Sequence, residues 1–237
     1  MSSSSSKSVF WRGVRDGMPF TLVIAPFAVL FGVVATEAGL NVFEVLSFSV
    51  VVIAGAAQFT ALQLMQENAP TVVVLASALA VNLRLAMYSA SLVPYLGKAP
   101  LWQRALVAYL TVDQSYATAM IKYENEPEMP LNEKVRYFIG CVIPVVTVWY
   151  ITSMIGALVG TALPDGLAID FAVPITFLAL TAPMLRTLAH VAAALVAVAT
   201  ALVFAFLPYN LGLIVAGIAG MMTGAQVELW MTRRAAP

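Results

Sequence analysis

The chain reads as a row of apolar runs, each close to twenty residues long, separated by short polar clusters. The runs cover residues 18–38, 43–65, 71–93, 101–121, 137–159, 167–185, 188–207 and 211–230. A helix of about twenty apolar residues crosses roughly 30 Å of hydrocarbon. The pattern therefore predicts an all-α, polytopic integral membrane protein with about eight transmembrane helices. Seven spans with a re-entrant piece is the other count the pattern allows.

Proline and glycine punctuate the runs. Pro19 suits the start of a helix, whereas Pro26, Pro144, Pro174 and Pro183 each remove a backbone hydrogen bond and kink or break the run that holds them. The small residues Gly55, Ala56 and Ala57 beside Gln58, in the middle of the second run, allow close packing or a local break. Pro208-Tyr209-Asn210 reads as a turn, and Gly212, Gly217, Gly220 and Gly224 offer a small-residue face for contact with another membrane helix. Residues 122–136, with two prolines and four glutamates, read as a solvated polar loop.

The first twelve residues lack the apolar core and cleavage site of a secretory signal and predict a disordered cytoplasmic tail. Residues 13–237 then form one transmembrane domain. A faint repeat pairs Val14-Arg15 with Val135-Arg136, and residues 31–39 with 155–160, which would divide the domain into halves 13–121 and 134–231.

Composition sharpens this picture. Apolar residues make up 61% of the 237 and charged residues only 10%, and the mean hydropathy is +0.91, beyond the range of ordinary soluble domains. Twelve basic residues balance twelve acidic ones, so no basic surface supports nucleic-acid binding. With eight spans and both termini cytoplasmic, nine basic residues fall inside and only Lys98 and Arg104 outside. Cys141 is the single cysteine and His190 the single histidine; with carboxylates scattered and no hydrolase or nucleotide-binding motif, no enzyme, metal or cofactor is expected.

Two charges stand where hydrocarbon is expected. Arg84 lies near the middle of the third run and Asp113 in the middle of the fourth. A charge at the bilayer centre costs about 2.5–3.5 kcal/mol on insertion scales, so each must face protein and find a partner. Tyr88 and Ser91 share the face of Arg84 at helical spacing, and Asn82 is nearby. Thr111, Gln114, Ser115 and Tyr116 surround Asp113 with hydroxyls and an amide. Two readings follow. In one, Arg84 and Asp113 only hold their helices together in a non-transporting membrane scaffold. In the other, the planar fork of Arg84 binds a substrate carboxylate, aided by Asn82, Gln58, Tyr88 and Gly55, and this releases Asp113, beside Tyr116, to take a proton.

The stretches GVRDGMPF, FGVVATEAGL, AGAAQFTALQLM, NLRLAMYSASLVPYL and LTVDQSYATA, all in the N-terminal half, resemble the AzlC-like branched-chain amino acid permease family. Leu85 stands where many members have a histidine after the arginine, and Gln114 where an acidic residue often follows the aspartate. The resemblance implies a bacterial inner-membrane exporter of leucine, isoleucine, valine and, at the margin, methionine. It also implies a partner, a small AzlD-like membrane subunit, and proton exchange as the driving step.

Overall fold

A computed structural model describes residues 6–162, 185–208 and 211–235. The described elements are helical: α1 (Ser6–Gly17), a 3-10 turn (Met18–Phe20), α2 (Thr21–Glu37), α3 (Val42–Val51), α4 (Gly55–Gln66), α5 (Thr71–Leu96), α6 (Leu101–Tyr109), α7 (Asp113–Asn125), α8 (Leu131–Gly160), α9 (Leu188–Val203) and α10 (Leu211–Ala235). The expected sixth run, with Pro174 and Pro183, lies outside the described residues apart from Leu185. The chain divides into two compact units, residues 1–62 with 81–165, and residues 63–80 with 166–237.

The frame of the first unit is a pair of long helices. α1, the 3-10 turn and α2 form one apolar rod, Ser8–Glu37, of 30 residues, and α8 is a second rod of 30 residues. They lie side by side and run the same way. A Cβ on Gly13 would meet Cys141 and Gly140, one on Gly140 would meet Val14 and Gly13, and one on Gly32 would meet Ala157 and Gly156. The paired numbers rise together. Glycine is required at these crossings because the opposing atoms are backbone, which has no rotamer to move aside.

This pairing corrects the disordered tail. Residues 6–12 are helical, and Val9 is fully buried. Val9, Gly13 and Gly17 recur every fourth residue, which puts them on one face of α1. Gly13 and Gly17 close against α8, so the tail's polar composition belongs to the opposite face.

The second and fourth runs do not cross. Each is two short helices separated by three residues, 52–54 and 110–112. At about 1.5 Å per residue the four half-helices are only about 14–20 Å long. Their directions follow from contacts. Arg84, Tyr88 and Tyr95 of α5 meet Asp113, Tyr116 and Tyr123 of α7 in that order, so α7 runs parallel to α5. The intervening α6 must therefore descend from the end of α5 and α7 must climb back. On the other side, Gln58 of α4 bonds back to Ser49 of α3, and Phe48 and Phe59 both touch Phe31. The chain enters through α3, turns at 52–54 and returns through α4.

Connectivity requires the same answer. Lys134 at the start of α8 sits over the ring of Tyr95 at the end of α5, and Arg12 of α1 pairs with Glu126 just before α8. Hence α5 ends where α1 and α8 begin, and runs opposite to both. α2 exits at the far end, so α3 and α4 must together return there for α5 to start. The runs 43–65 and 101–121, each expected to span as one helix, are helical hairpins, and the count of eight spans is not confirmed: among the described residues four helices are long and apolar enough to cross a membrane. Lys98 and Arg104, expected on the far side, lie at the same end as Lys122 and Arg136.

Neither break contains proline. Val50, Val51, Val52 and Ile53 are β-branched and lose rotamer freedom in a helix, and Val52 is extended at φ −123°, ψ 93°. Asn41 and Glu44 form a capping box that starts α3, with reciprocal bonds of 3.0 and 2.8 Å. Gly39, at φ +89°, supplies the left-handed turn that ends α2. The expected polar loop is shorter than its composition suggests: α7 continues to Asn125, α8 begins at Leu131, and Tyr123 and Lys134 are buried.

In the second unit, Thr187 caps α9 by accepting from the His190 amide at 3.2 Å. Gly220 and Gly224 of α10 close on Ala193 and Ala197 of α9, and Gly212 on Phe204. Three of the four glycines of this face thus make close contacts within the chain itself. Only Gly217 of the four faces open space.

Candidate functional site

The site is built on the parallel faces of α5 and α7. Arg84 lies near the middle of the 26 residues of α5, and its Nη2 is 3.2 Å from Asp113 Oδ2. One turn further along, Tyr88 and Tyr116 stack with ring centres 4.2 Å apart and planes 9° from parallel. A third rung, Tyr95 against Tyr123, follows at 5.4 Å. Tyr88 also lies within electrostatic reach of both Asp113 and Arg84. The pair's side chains keep 39% and 42% of their surface open, which leaves room for a ligand to approach.

Asp113 owes its position to the break before it. Val112 is extended at φ −129°, ψ 165°, and its N–H donates to Ser115 Oγ at 3.0 Å. The Thr111 hydroxyl donates back to the Val107 carbonyl at 2.7 Å. These local bonds compete with the helical ladder and end α6. Asp113 becomes the first residue of α7, where it faces Arg84.

The other hairpin brings its tip to the same region. The Tyr109 hydroxyl, at the end of α6, donates to the Val50 carbonyl in the last turn of α3, so the two breaks are tied together. Gln58, fully buried, spans the first tip with Nε2 3.5 Å from Ser49 Oγ, and its Oε1 has no partner among the described residues. Gly55 opens α4 against Trp149 and Phe27. Around it Phe27, Phe31, Phe59 and Trp149 form a continuous aromatic cluster, with ring centres 4.9–5.9 Å apart.

The sequence-predicted residues thus fall into two groups. Arg84, Asp113, Tyr88 and Tyr116 are one cluster, whereas Gln58 and Gly55 belong to the aromatic core at the tip of α3 and α4. Asn82 joins neither. Two residues before Arg84 on a regular helix, it lies about 200° around the axis, and its Oδ1 is buried without a partner among the described residues. Tyr95, Tyr109 and Tyr123 were missed. Tyr95 and Tyr123 were accessible to periodicity, lying seven residues after Tyr88 and Tyr116 on the same faces.

The AzlC protein family matches residues 19–163, more than half of the chain and the whole of both hairpins. The chain belongs to the AzlC family. It is 28% identical to an uncharacterized membrane protein of Archaeoglobus fulgidus over 93% of its own length and 96% of that protein. It is 26% identical to the inner membrane protein YgaZ of Escherichia coli K12 over 72% of its length and 71% of that protein. No solved structure matches the chain. The AzlC match contains Arg84, Asp113 and the Gly32–Gly156 crossing, begins after α1 and ends before α9.

One further polar cluster lies at the end of the bundle where α1 begins. Glu126 accepts from Lys122 Nζ at 2.5 Å and from Arg12 at 3.4 Å. The Lys122 hydrogen bond, with Arg12 behind it, holds the Glu126 carboxyl below the usual carboxylate range. Lys134 Nζ donates to the Pro127 carbonyl at 3.0 Å, while the Lys134 carbonyl accepts from the Tyr123 hydroxyl at 2.8 Å. This network ties α1, α7 and α8 together and closes that end of the α5–α7 ladder.

Proposed function

We propose that this chain is the transport subunit of a secondary transporter that exports leucine, isoleucine, valine and methionine in exchange for protons. The observation that carries the reading is the Arg84–Asp113 pair, partly open, beside two joined hairpin tips. Interrupted helices that leave a charged, non-helical backbone at mid-membrane are how many transporters build substrate sites. Arg84 suits a carboxylate because its guanidinium presents a rigid donor fork. A small AzlD-like subunit is the proposed partner, and the bacterial inner membrane the proposed location.

The direct 3.2 Å contact also fits a scaffold whose pair is purely structural. Leucine efflux from proteoliposomes, with and without the small subunit and under an imposed proton gradient, separates the readings. Arg84→Lys keeps the charge and loses the fork, so leucine affinity falls while thermal stability changes little. The double variant Arg84→Gln with Asp113→Asn removes both charges, and folding is retained because neither is left unpaired. Export by that double variant at the wild-type rate would remove both residues from the transport mechanism.

Orientation follows from charge. We place the end holding Arg12, Lys98, Lys122 and Arg136 in the cytoplasm, since cytoplasmic loops collect lysine and arginine. In a Cys141→Ser background, Asn41→Cys should react with an impermeant thiol reagent added outside, and Lys98→Cys and Glu126→Cys should not. Labelling of 98 and 126 with none at 41 would invert the assignment.

A further inference from the structure

The ion pair is not saturated. Arg84 Nε, a donor, and Asp113 Oδ1, an acceptor, are covered from solvent and have no hydrogen-bond partner among the described residues. Arg84 Nη2 and Asp113 Oδ2 face each other at 3.2 Å, and the Tyr88 side chain stands beside the carboxylate. Polar atoms left this way cost free energy until something satisfies them. Here the two vacant positions have opposite sense: a cation offers one N–H, and an anion offers one oxygen. A purely structural pair gains from making both contacts, as in a bidentate fork, and leaves neither open. A lone carboxylate would fill only the first.

The two vacancies together match a zwitterion. We infer that Arg84 Nε–H takes the carboxylate of an α-amino acid while Asp113 Oδ1 takes its ammonium, and that this ammonium and a proton are alternative occupants of Asp113. The inference rests on the transport reading above and names the part of the substrate that couples it to protons. A protonated Asp113 has lost the negative charge that draws an ammonium. Binding of the amino acid therefore requires that the proton leave Asp113 for water, and return of the proton requires that the ammonium leave. One proton is exchanged per amino acid. The charged and titratable groups facing Asp113 among the described residues are Arg84 and Tyr88 from α5, with Tyr116 on its own helix. Tyr88 and Tyr116 stack flat on each other one turn away, with Tyr88 also bearing on Asp113.

The test uses the full chain in lipid nanodiscs and three probes: leucine, 4-methylpentanoate, which lacks the ammonium, and 3-methylbutylamine, which lacks the carboxylate. Titration calorimetry in buffers of different ionisation heat gives affinity and proton release for each between pH 5 and 8. Leucine should bind at least about tenfold more tightly than either analogue, the usual effect of losing a charge-assisted bond. Leucine affinity should fall as the pH is lowered, and binding at the acid end should be accompanied by proton release. 4-Methylpentanoate should release none. If 4-methylpentanoate binds as tightly as leucine, the ammonium assignment is overturned and the transport reading survives. Failure of leucine to bind at any pH overturns both. Asp113→Asn should make leucine binding weak and independent of pH; should it not fold, the analogue series on the native chain still decides.

Discussion

Substituting alanine for single glycines should change stability with a sign set by the space at each position. A Cβ on Gly32 would lie 2.5 Å from the Ala157 nitrogen and 2.8 Å from the Gly156 carbonyl carbon. Ordinary contact begins at 3.4 Å and the Ser153 carbonyl oxygen is nearer still, so α2 and α8 must part by more than about 0.9 Å at this crossing. Every obstructing atom is backbone, and no side-chain rotation relieves the clash. Overpacking of this kind costs about 1–3 kcal/mol, while alanine in a helix gains about 0.5–1 kcal/mol over glycine. Gly32→Ala should therefore destabilise by about 1–2 kcal/mol. Gly217 is the control: nothing lies within 4 Å of its Cβ position, so only the helix term remains and Gly217→Ala should stabilise by about 0.5–1 kcal/mol. Gly220, with the Ala193 carbonyl and Ala197 Cβ at 3.0 Å, falls between them near zero. Unfolding by dodecyl sulfate, followed through the four tryptophans, gives the order directly. A Gly32→Ala variant as stable as the native chain would refute the close packing of α2 on α8, and a destabilised Gly217→Ala would refute the open space at that position.

Three further outcomes are expected. Tyr109→Phe removes the bond to the Val50 carbonyl that joins the hairpin tips and should lower the unfolding free energy by about 1 kcal/mol; no change would mean that the tips are not tied there. Glu126 has its carboxyl lowered by Lys122 first and Arg12 second, so its stabilisation is present above the ordinary carboxylate pKa of 4.5 and is lost as pH falls through the lowered folded value. Because Glu126 is 43% exposed, the effect should be under about 1 kcal/mol and weaken with salt; Glu126→Gln should flatten the acid limb of a stability profile, and an unchanged limb would count against the pair. Gln58→Leu replaces a fully buried amide held by one long bond and should leave stability within about 1 kcal/mol of native or raise it; loss of leucine binding in that folded variant would bring Gln58 into the substrate site.

The helical class and the charge pair were legible because hydrophobicity is a local property. Runs of twenty apolar residues leave only helices as a way to satisfy the backbone in lipid. Two opposite charges in the middle of such runs have few options besides each other, and Tyr88 and Tyr116 follow from helical spacing. Direction is not local. Residues 43–65 and 101–121 have the length and apolarity of a span, yet each turns back, and what turns them is a run of valines in one and the hydroxyls of Thr111 and Ser115 in the other. Neither signal resembles the proline or glycine that marks a break by composition. Asn82 shows the opposite failure: nearness in sequence suggested a shared site, but a two-residue step on a helix leads to the far face. The tail failed through composition as well, because its serines and charges masked the Val9, Gly13, Gly17 stripe that needs α8 to become visible.

Folding the two runs back on themselves changes where the charges lie, and this bears on the fold independently of any contact distance. With crossing segments, Lys98 and Arg104 would face away from the remaining basic residues of the first 160. With hairpins, Arg12, Arg15, Lys98, Arg104, Lys122, Lys134 and Arg136 all stand at the end where α1 and α8 begin, while Glu37 and Glu44 stand at the other. Arg84 is the one basic residue left between, and it has Asp113. Membrane insertion sorts lysine and arginine to one face, so a wrong back-fold would be expected to scatter them. The chain repeats one plan, a long helix and then a hairpin: α1–α2 with α3 and α4, and α5 with α6 and α7. The two tips meet where the Tyr109 hydroxyl bonds the Val50 carbonyl, and the second tip carries Asp113, which faces Arg84. Under the transport reading proposed above, movement of one tip against the other is the step that would expose the pair to one side at a time.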